Sequence, residues 1–170
     1  MLSFSFDADK NDVFDQVETF IRSKDFIIAS MDDERPWGGF FVIDESEAQR
    51  FIETFFSHLT LDDFSGFAHL SPKILLVEPG KRLSWQYHHR RAEIWKVIGG
   101  SAGVVVSDTN ELKPAKTLAL NDIVELRQGE RHRLVGLGEW GIIAEIWKHT
   151  DRNNPSDESD IVRVEDDFGR

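Results

Sequence analysis

The sequence predicts a mainly β protein, a small barrel or sandwich, with two helices added in its N-terminal part. From residue 71 onward, short apolar runs are separated by turns every eight to ten residues. This pattern is typical of antiparallel strands rather than of a parallel sheet. Two earlier stretches instead place their apolar residues at helical spacing. With 170 residues, the chain is long enough for one domain with a substantial core.

Two amphipathic stretches carry the helix prediction. The first has Asn11 or Asp12 as its cap, and its apolar positions are Val13, Phe14, Val17, Phe20 and Ile21. The second begins at Ser46, which fits a capping box with Gln49. Its apolar stripe comprises Ala48, Phe51, Ile52, Phe55, Phe56 and Leu59. We expect both helices to pack on the β-barrel.

The chain divides into three parts within one structural domain. Residues 1–70 are predicted to form an N-terminal extension that contains both helices. Residues 71–150 form the β core, and residues 151–170 form a C-terminal tail that starts as a polar linker.

Composition and charge exclude several classes of function. The net charge is −11, with 31 acidic and 20 basic residues, which argues against nucleic-acid binding because phosphate neutralisation needs a basic face. The chain has no cysteine, so it forms neither a disulfide framework nor a thiolate metal site. We expect no signal peptide, and the sequence contains no apolar run long enough to span a bilayer. We therefore expect no membrane partner and a cytoplasmic location.

Four polar residues lie within the predicted strands. Gln86 and His88 are two residues apart, so their side chains project from one face of a strand. Glu93 can return to that face on the next strand, and His132 follows a turn at Gly129. One amide, two imidazoles and one carboxylate make a mixed nitrogen and oxygen set that suits zinc, manganese, iron or nickel.

Two segments around these residues resemble the motifs of the cupin superfamily. The run from Gly80 to Gly100 follows the first motif, with Gln86 at the position where a histidine usually stands. The run from Asn121 to Gly136 follows the second motif and retains its glycine and its histidine, Gly129 and His132.

Within the cupins, the resemblance is closest to the C-terminal domain of type II mannose-6-phosphate isomerases, which is often fused to a mannose-1-phosphate guanylyltransferase. Three separated motifs carry this resemblance in the same order, and together they cover residues 35–170. They are Arg35-Pro36-Trp37-Gly38, the run from Gln86 to Trp95, and the run from Asp160 to Arg170.

The resemblance implies a single cupin domain, an RmlC-like jelly-roll β-barrel, with the two helices as additions. It also implies a divalent metal held by Gln86, His88, Glu93 and His132. Zinc is expected first, with manganese, iron or nickel as alternatives. The implied reaction is the interconversion of mannose 6-phosphate and fructose 6-phosphate by metal-assisted proton transfer.

Further residues are candidates for roles in that reaction. The catalytic candidates are Glu93, Arg91 and Glu145. The substrate-binding candidates are Arg133, Arg90 and Lys96. A carboxylate can move a proton between neighbouring carbons, and a guanidinium can hold a phosphate through paired hydrogen bonds.

Two alternatives remain open from the sequence. Arg90 and Ile94 replace histidines of the family pattern, which favours a non-catalytic cupin that binds a sugar or a sugar phosphate. The other alternative is a different metal-dependent cupin enzyme. The expected partner is a small-molecule sugar phosphate, and a homodimer through the N-terminal strand or the Phe-rich second helix is a further hypothesis.

Overall fold

Two antiparallel β-sheets and two α-helices make up the fold in this computed structural model, which describes residues 2–64 and 69–169. The helices are α1 (Lys10–Ser23) and α2 (Ala48–Phe55). The strands are β1 (Ile28–Asp32), β2 (Gly38–Ile43), β3 (Lys73–Val77), β4 (Trp85–Tyr87), β5 (Arg91–Gly99), β6 (Ala102–Ser107), β7 (Lys116–Leu118), β8 (Ile123–Leu126), β9 (Arg131–Gly136), β10 (Gly141–His149) and β11 (Val162–Glu165). The prediction of a mainly β protein with two N-terminal helices is confirmed. Neither α1 nor α2 has the length and apolar character that crossing a membrane requires.

The strands are arranged in one six-stranded and one five-stranded sheet. The larger has the order β1-β2-β3-β10-β5-β8, and the smaller has the order β11-β4-β9-β6-β7. Both ends of the chain contribute to the sheets, since β1 and β2 extend the larger sheet and β11 forms an edge of the smaller one. The N-terminal part therefore supplies strands as well as helices.

Two apolar cores lie on opposite faces of the larger sheet, because successive side chains of a strand alternate between its faces. The core between the two sheets includes Leu75, Val77, Trp95, Leu134 and Ile143. The core on the outer face joins the sheet to the helices and includes Phe14, Phe41, Phe51, Ile74 and Ala144. The apolar faces of α1 and α2 are thus buried against their own chain, and the homodimer stays a prediction.

The helix boundaries differ from those predicted because aspartates cap both segments. The carboxylate of Asp9, rather than Asn11 or Asp12, accepts the backbone N–H groups at the start of α1. Asp44 caps a short 3₁₀ turn before α2, and the Ser46 hydroxyl donates to that carboxylate at 2.6 Å. The predicted capping box with Gln49 is therefore wrong, since the Ser46 side chain already bonds to Asp44.

A glycine lets the chain enter β2 close to β3. Gly38 has a φ of +138°, and a Cβ atom there would lie 1.9 Å from the carbonyl oxygen of Leu76. Only glycine fits this position without displacing the backbone of β3. The close pairing places Trp37 and Phe40 beside the space between the sheets, where both line a cavity.

Phe51→Ala is expected to destabilise the protein because Phe51 is fully buried and its ring lies 4.9 Å from that of Phe55 and 5.7 Å from that of Phe26. The lost contacts and the resulting cavity predict a fall of about 3–5 kcal/mol in the free energy of unfolding, measured by urea denaturation. Phe6→Ala is the control, since Phe6 is 67% exposed, and its effect should stay within about 0.5 kcal/mol. Equal losses in the two variants would contradict this account of the outer core.

Candidate metal centre and adjoining cavity

Three buried side chains meet between the two sheets. His88 follows β4, His132 lies on β9 and Glu93 lies on β5 of the opposite sheet. The Nε2 atom of His88 is 3.1 Å from Glu93 Oε1, and the Nε2 atom of His132 is 3.4 Å from Glu93 Oε2. Their potential ligand atoms lie within 4.8 Å of one another. The structure thus brings together three of the four predicted metal ligands.

Backbone carbonyl groups fix the orientation of both imidazole rings. His88 Nδ1 lies 2.6 Å from the carbonyl oxygen of Asp160, and His132 Nδ1 lies 3.0 Å from that of Glu130. A carbonyl only accepts hydrogen bonds, so each Nδ1 carries a hydrogen and each Nε2 is turned towards Glu93. The buried Nε2 atom of His132 makes no hydrogen bond among the described residues. This unpartnered nitrogen, with a second imidazole and a carboxylate, fits a divalent metal.

Arg91 is a third neighbour of the Glu93 carboxylate. Its Nε atom donates to Glu93 Oε1 at 2.8 Å, and its Nη2 atom lies 3.2 Å from His88 Nε2. The guanidinium also lies over the Trp147 ring, with its carbon 3.7 Å from the ring centroid. Arg91 therefore places a fixed positive charge beside the atoms that would bind a metal.

The charges in this cluster shift two pKa values in opposite directions. Burial opposes ionisation of Glu93, but the neighbouring His88 and Arg91 and the close approach of both imidazole rings to the carboxylate outweigh it, so the Glu93 pKa lies well below its usual value. Burial lowers the pKa of His132, but the Glu93 carboxylate raises that pKa by more. Glu93 is consequently ionised at neutral pH, as a metal ligand needs to be.

Gln86, the fourth predicted ligand, lies beside the cluster. It is the cross-strand partner of His132, and its side chain lines the adjoining cavity. Its Oε1 atom accepts a hydrogen bond of 2.5 Å from the Ser84 hydroxyl. Gln86 is thus placed on the correct face, and its role as a ligand stays a prediction.

A cavity of about 510 Å³ adjoins the cluster. Its lining includes three carboxylates and four cationic side chains, namely Glu93, Glu145, Glu158, Arg35, Lys73, Arg91 and Arg163. Among the residues that line the cavity, the basic ones thus outnumber the acidic ones, although the whole chain has a net charge of −11. This local balance suits an anionic ligand.

Glu145 is a buried carboxyl group in the wall of this cavity. It lies on β10 opposite Lys73 of β3, and its Oε1 atom accepts a hydrogen bond of 2.9 Å from the indole of Trp95. Burial and the negative charge of Glu93 raise the pKa of Glu145 to about 7, against the effects of Lys73, Arg91 and the Trp95 hydrogen bond. A carboxyl group with such a pKa can both accept and return a proton near neutral pH.

The C-terminal segment, residues 154–167, forms one side of the site. Asp160 accepts hydrogen bonds through its carboxylate from the backbone N–H groups of His89 and Arg90, at 3.1 and 2.9 Å. The Ser156 hydroxyl also donates to this carboxylate at 2.7 Å. The same aspartate therefore holds the turn that carries His88 and, through its carbonyl group, the His88 ring. Arg170, the last residue of the C-terminal motif, lies outside the described residues.

The three predicted substrate-binding residues do not line the cavity. Arg90 lies in the turn between β4 and β5, where strand alternation is lost, and its guanidinium donates to Asn154 and to the Pro155 carbonyl group. Lys96 lies on the face of β5 opposite to Glu93. Arg133 is adjacent to His132 and faces away from it, and its guanidinium bonds to Glu165 at 3.1 Å. These positions correct the expectation that the three residues face the cavity.

Several cavity residues were missed by the sequence analysis. They include Lys73, Trp147, Glu158 and Arg163. Strand parity could have found Trp147, which lies two residues after Glu145. Arg163 belongs to the C-terminal motif, but nothing in the sequence pairs it with Gln86, its cross-strand partner.

The two facing sheets and the His-Glu-His cluster define a cupin. Residues 61–166 match the family model described as mannose-6-phosphate isomerase C-terminal, and the chain belongs to this family. It is 34% identical over 125 residues to the alginate biosynthesis protein AlgA of Pseudomonas aeruginosa, a match that covers 74% of this chain and 24% of AlgA. It is 29% identical over 137 residues to the mannose-1-phosphate guanylyltransferase ManC of Salmonella typhimurium, which covers 80% of this chain and 22% of ManC.

A similar fold occurs in the capsular polysaccharide assembling protein CapF from Staphylococcus aureus. The two structures align with a TM-score of 0.53 at 15% identity, over 80% of this chain and 34% of CapF. This likeness supports the fold alone. The chain spans less than a quarter of the length of the two curated relatives.

Asp160→Ala is expected to weaken metal binding. It removes the acceptor for two backbone N–H groups and frees the turn that holds His88, so the affinity for Zn²⁺ should fall about 10- to 100-fold in a calorimetric titration. Asp157→Ala is the control, since that exposed carboxylate bonds to Ser159 and reaches the turn only through the Arg90 side chain, at 3.5 Å. If both variants bind Zn²⁺ as the native protein does, Asp160 does not position His88.

Glu145→Gln is expected to change how stability depends on pH. The folded protein raises the Glu145 pKa from 4.5 to about 7, so the stability that this group contributes is complete below its unfolded pKa and is lost as the pH rises through 7. The native protein should lose up to about 3 kcal/mol of unfolding free energy by this route. The neutral amide of the variant should remove that loss.

Denaturant titrations at a series of pH values measure the difference between native protein and variant. The matched control is Glu125→Gln, which replaces an exposed glutamate of β8 outside the cavity. Parallel stability curves for native protein and Glu145→Gln would contradict the raised pKa.

Proposed function

We propose that this protein is a sugar-phosphate isomerase that interconverts mannose 6-phosphate and fructose 6-phosphate with the help of a divalent metal. The observation that carries the proposal is the buried cluster of His88, Glu93 and His132 beside a cavity that contains a carboxyl group with a pKa of about 7. Membership of the mannose-6-phosphate isomerase C-terminal family supports it. The guanylyltransferase activity named in relatives is not proposed, because the chain covers only a small part of them.

His88, Glu93 and His132 would hold the metal, with Gln86 as the predicted fourth ligand. When bound, the metal would supply a Lewis acid that polarises the sugar carbonyl group. Zinc is our first candidate, and manganese, iron and nickel fit the same donor types.

Glu145 is the proposed acid–base group. In the forward direction it takes the proton from C2 of the aldose and returns it to C1, while the hydroxyl proton moves from O2 to O1. Its pKa of about 7 suits both steps near neutral pH. Glu93 is less suited to this role, because its pKa is held well below the usual value by His88 and Arg91.

The walls of the cavity would orient the sugar and limit access of water. Two buried side chains that line it are Trp37, in the turn before β2, and Trp147 on β10. Arg91 would fix the Glu93 carboxylate and contribute positive charge near the reacting oxygens.

A second candidate function is sugar-phosphate binding without catalysis. Its support is the contact of Arg91 with both Glu93 Oε1 and His88 Nε2, since the guanidinium satisfies these atoms without a metal. The two candidates differ in whether a proton at C2 is exchanged.

Proton NMR of mannose 6-phosphate in deuterated water tests the proposal. The native protein with added zinc or manganese is expected to exchange the C2 proton and to form fructose 6-phosphate, and a chelator should stop both. Glu145→Gln should lower the rate about 10²- to 10⁴-fold, the range for removal of a general acid or base.

Two histidine variants complete this experiment. His88→Ala should abolish metal binding and activity together. His89→Ala should retain both, since His89 is exposed and its ring packs on Tyr87. Metal binding without any proton exchange would contradict the isomerase proposal and favour the binding function.

A further inference from the structure

One wall of the cavity alternates cationic and aromatic side chains. Arg35 and Lys73 both lie over the Phe40 ring, at 5.6 and 5.5 Å from its centroid. Lys73 also lies 4.1 Å from the centroid of Trp147, and Arg91 lies 3.7 Å from the same centroid. All five side chains line the cavity. At one end of this row, Arg91 donates to the Glu93 carboxylate.

Lys73 occupies the middle of this row and is only 6% exposed. A buried ammonium group is costly unless it is paired with an anion. Contacts with two aromatic rings recover part of that cost. Lys73 therefore needs an anionic partner in the cavity.

Glu158 is the ion-pair partner of Lys73 in the described structure. Its Oε1 atom lies 2.5 Å from Lys73 Nζ, although its side chain is 74% exposed. An exposed carboxylate gains little from such a pair, because water solvates it almost as well. Lys73 thus needs an anion, whereas the Glu158 carboxylate can return to solvent at low cost.

A second cation faces the same cavity from the smaller sheet. Arg163 lies on β11, opposite Gln86 of β4, and lines the cavity. In the described part of the chain it forms no ion pair. Departure of Glu158 would leave two cations for a doubly charged anion.

We propose that Lys73, between Phe40 and Trp147, binds the phosphate group of a phosphate monoester, and that Glu158 occupies this position until the phosphate displaces it. The identity of the sugar rests on the proposed function, whereas phosphate binding at Lys73 does not. Lys73 is the cross-strand partner of Glu145, so the phosphate site and the proposed proton-transfer group line the same cavity.

Calorimetric titrations with inorganic phosphate, mannose 6-phosphate and mannose test this site without requiring turnover. The native protein is expected to bind mannose 6-phosphate more tightly than mannose. Lys73→Met should weaken binding of mannose 6-phosphate and of inorganic phosphate about tenfold or more, as expected for loss of a charge-assisted hydrogen bond. Lys96→Met is the matched control on the opposite face of the larger sheet, and it should bind both ligands as the native protein does.

The variant Glu158→Gln is the second test of the proposed phosphate site. This exposed side chain can be replaced without loss of packing, and removal of the competing carboxylate should tighten phosphate binding about two- to fivefold. Far-UV circular dichroism of Lys73→Met checks that it is folded.

Two results would overturn the proposal. One is native phosphate affinity in folded Lys73→Met. The other is unchanged or weaker phosphate binding in Glu158→Gln. If Lys73→Met loses phosphate binding while the native protein shows no isomerase activity, the phosphate site is retained and the isomerase function is rejected. The two failures are therefore distinguishable.

Discussion

The site is organised around one buried negative charge, the carboxylate of Glu93. Burial alone would favour its neutral form, yet the adjacent His88 and Arg91 hold its pKa well below the usual value. Each partner is itself fixed, His88 by the carbonyl group of Asp160 and Arg91 by the Ser156 hydroxyl and the Trp147 ring. Removal of one partner leaves an uncompensated charge in the interior, which typically costs several kcal/mol. The same balance that stabilises the fold therefore presents two imidazole nitrogens and a carboxylate to a metal.

The position of this charge requires both sheets and the end of the chain. The larger sheet supplies Glu93 and Glu145, whereas the histidines come from the smaller sheet and the turn after β4. Asp160 joins the C-terminal segment to that turn, and Glu158 of the same segment reaches Lys73 in the cavity. The C-terminal segment therefore helps to position the metal centre and also supplies the ion-pair partner of Lys73. These contacts give a physical reason for the polar residues of the C-terminal motif, which is far from the histidines in sequence.

Strand parity and motif spacing were sufficient to predict the centre of the site. They placed His88, Glu93 and His132 together. Parity failed for Arg90, because alternation stops in a turn. Arg133 was a candidate because it matches a motif of the family, whereas parity itself directs Arg133 and Lys96 away from the cavity. Lys73 was missed because it begins a strand that is buried throughout, and its environment arises from strands far apart in sequence. Likewise, no local pattern reveals that the Asp160 carbonyl group accepts from His88.

Nitrogen NMR of the histidine rings tests most directly the claim that His88 and His132 present Nε2 to a metal. Long-range proton–nitrogen spectra of ¹⁵N-labelled protein would be recorded before and after one equivalent of Zn²⁺. The account predicts that the Nε2 resonances of His88 and His132 shift together on addition of zinc. Both Nδ1 atoms should retain their hydrogens, since each donates to a carbonyl group, and His89 should not respond. A shift of His89 alone, or metal bound through either Nδ1, would contradict the account.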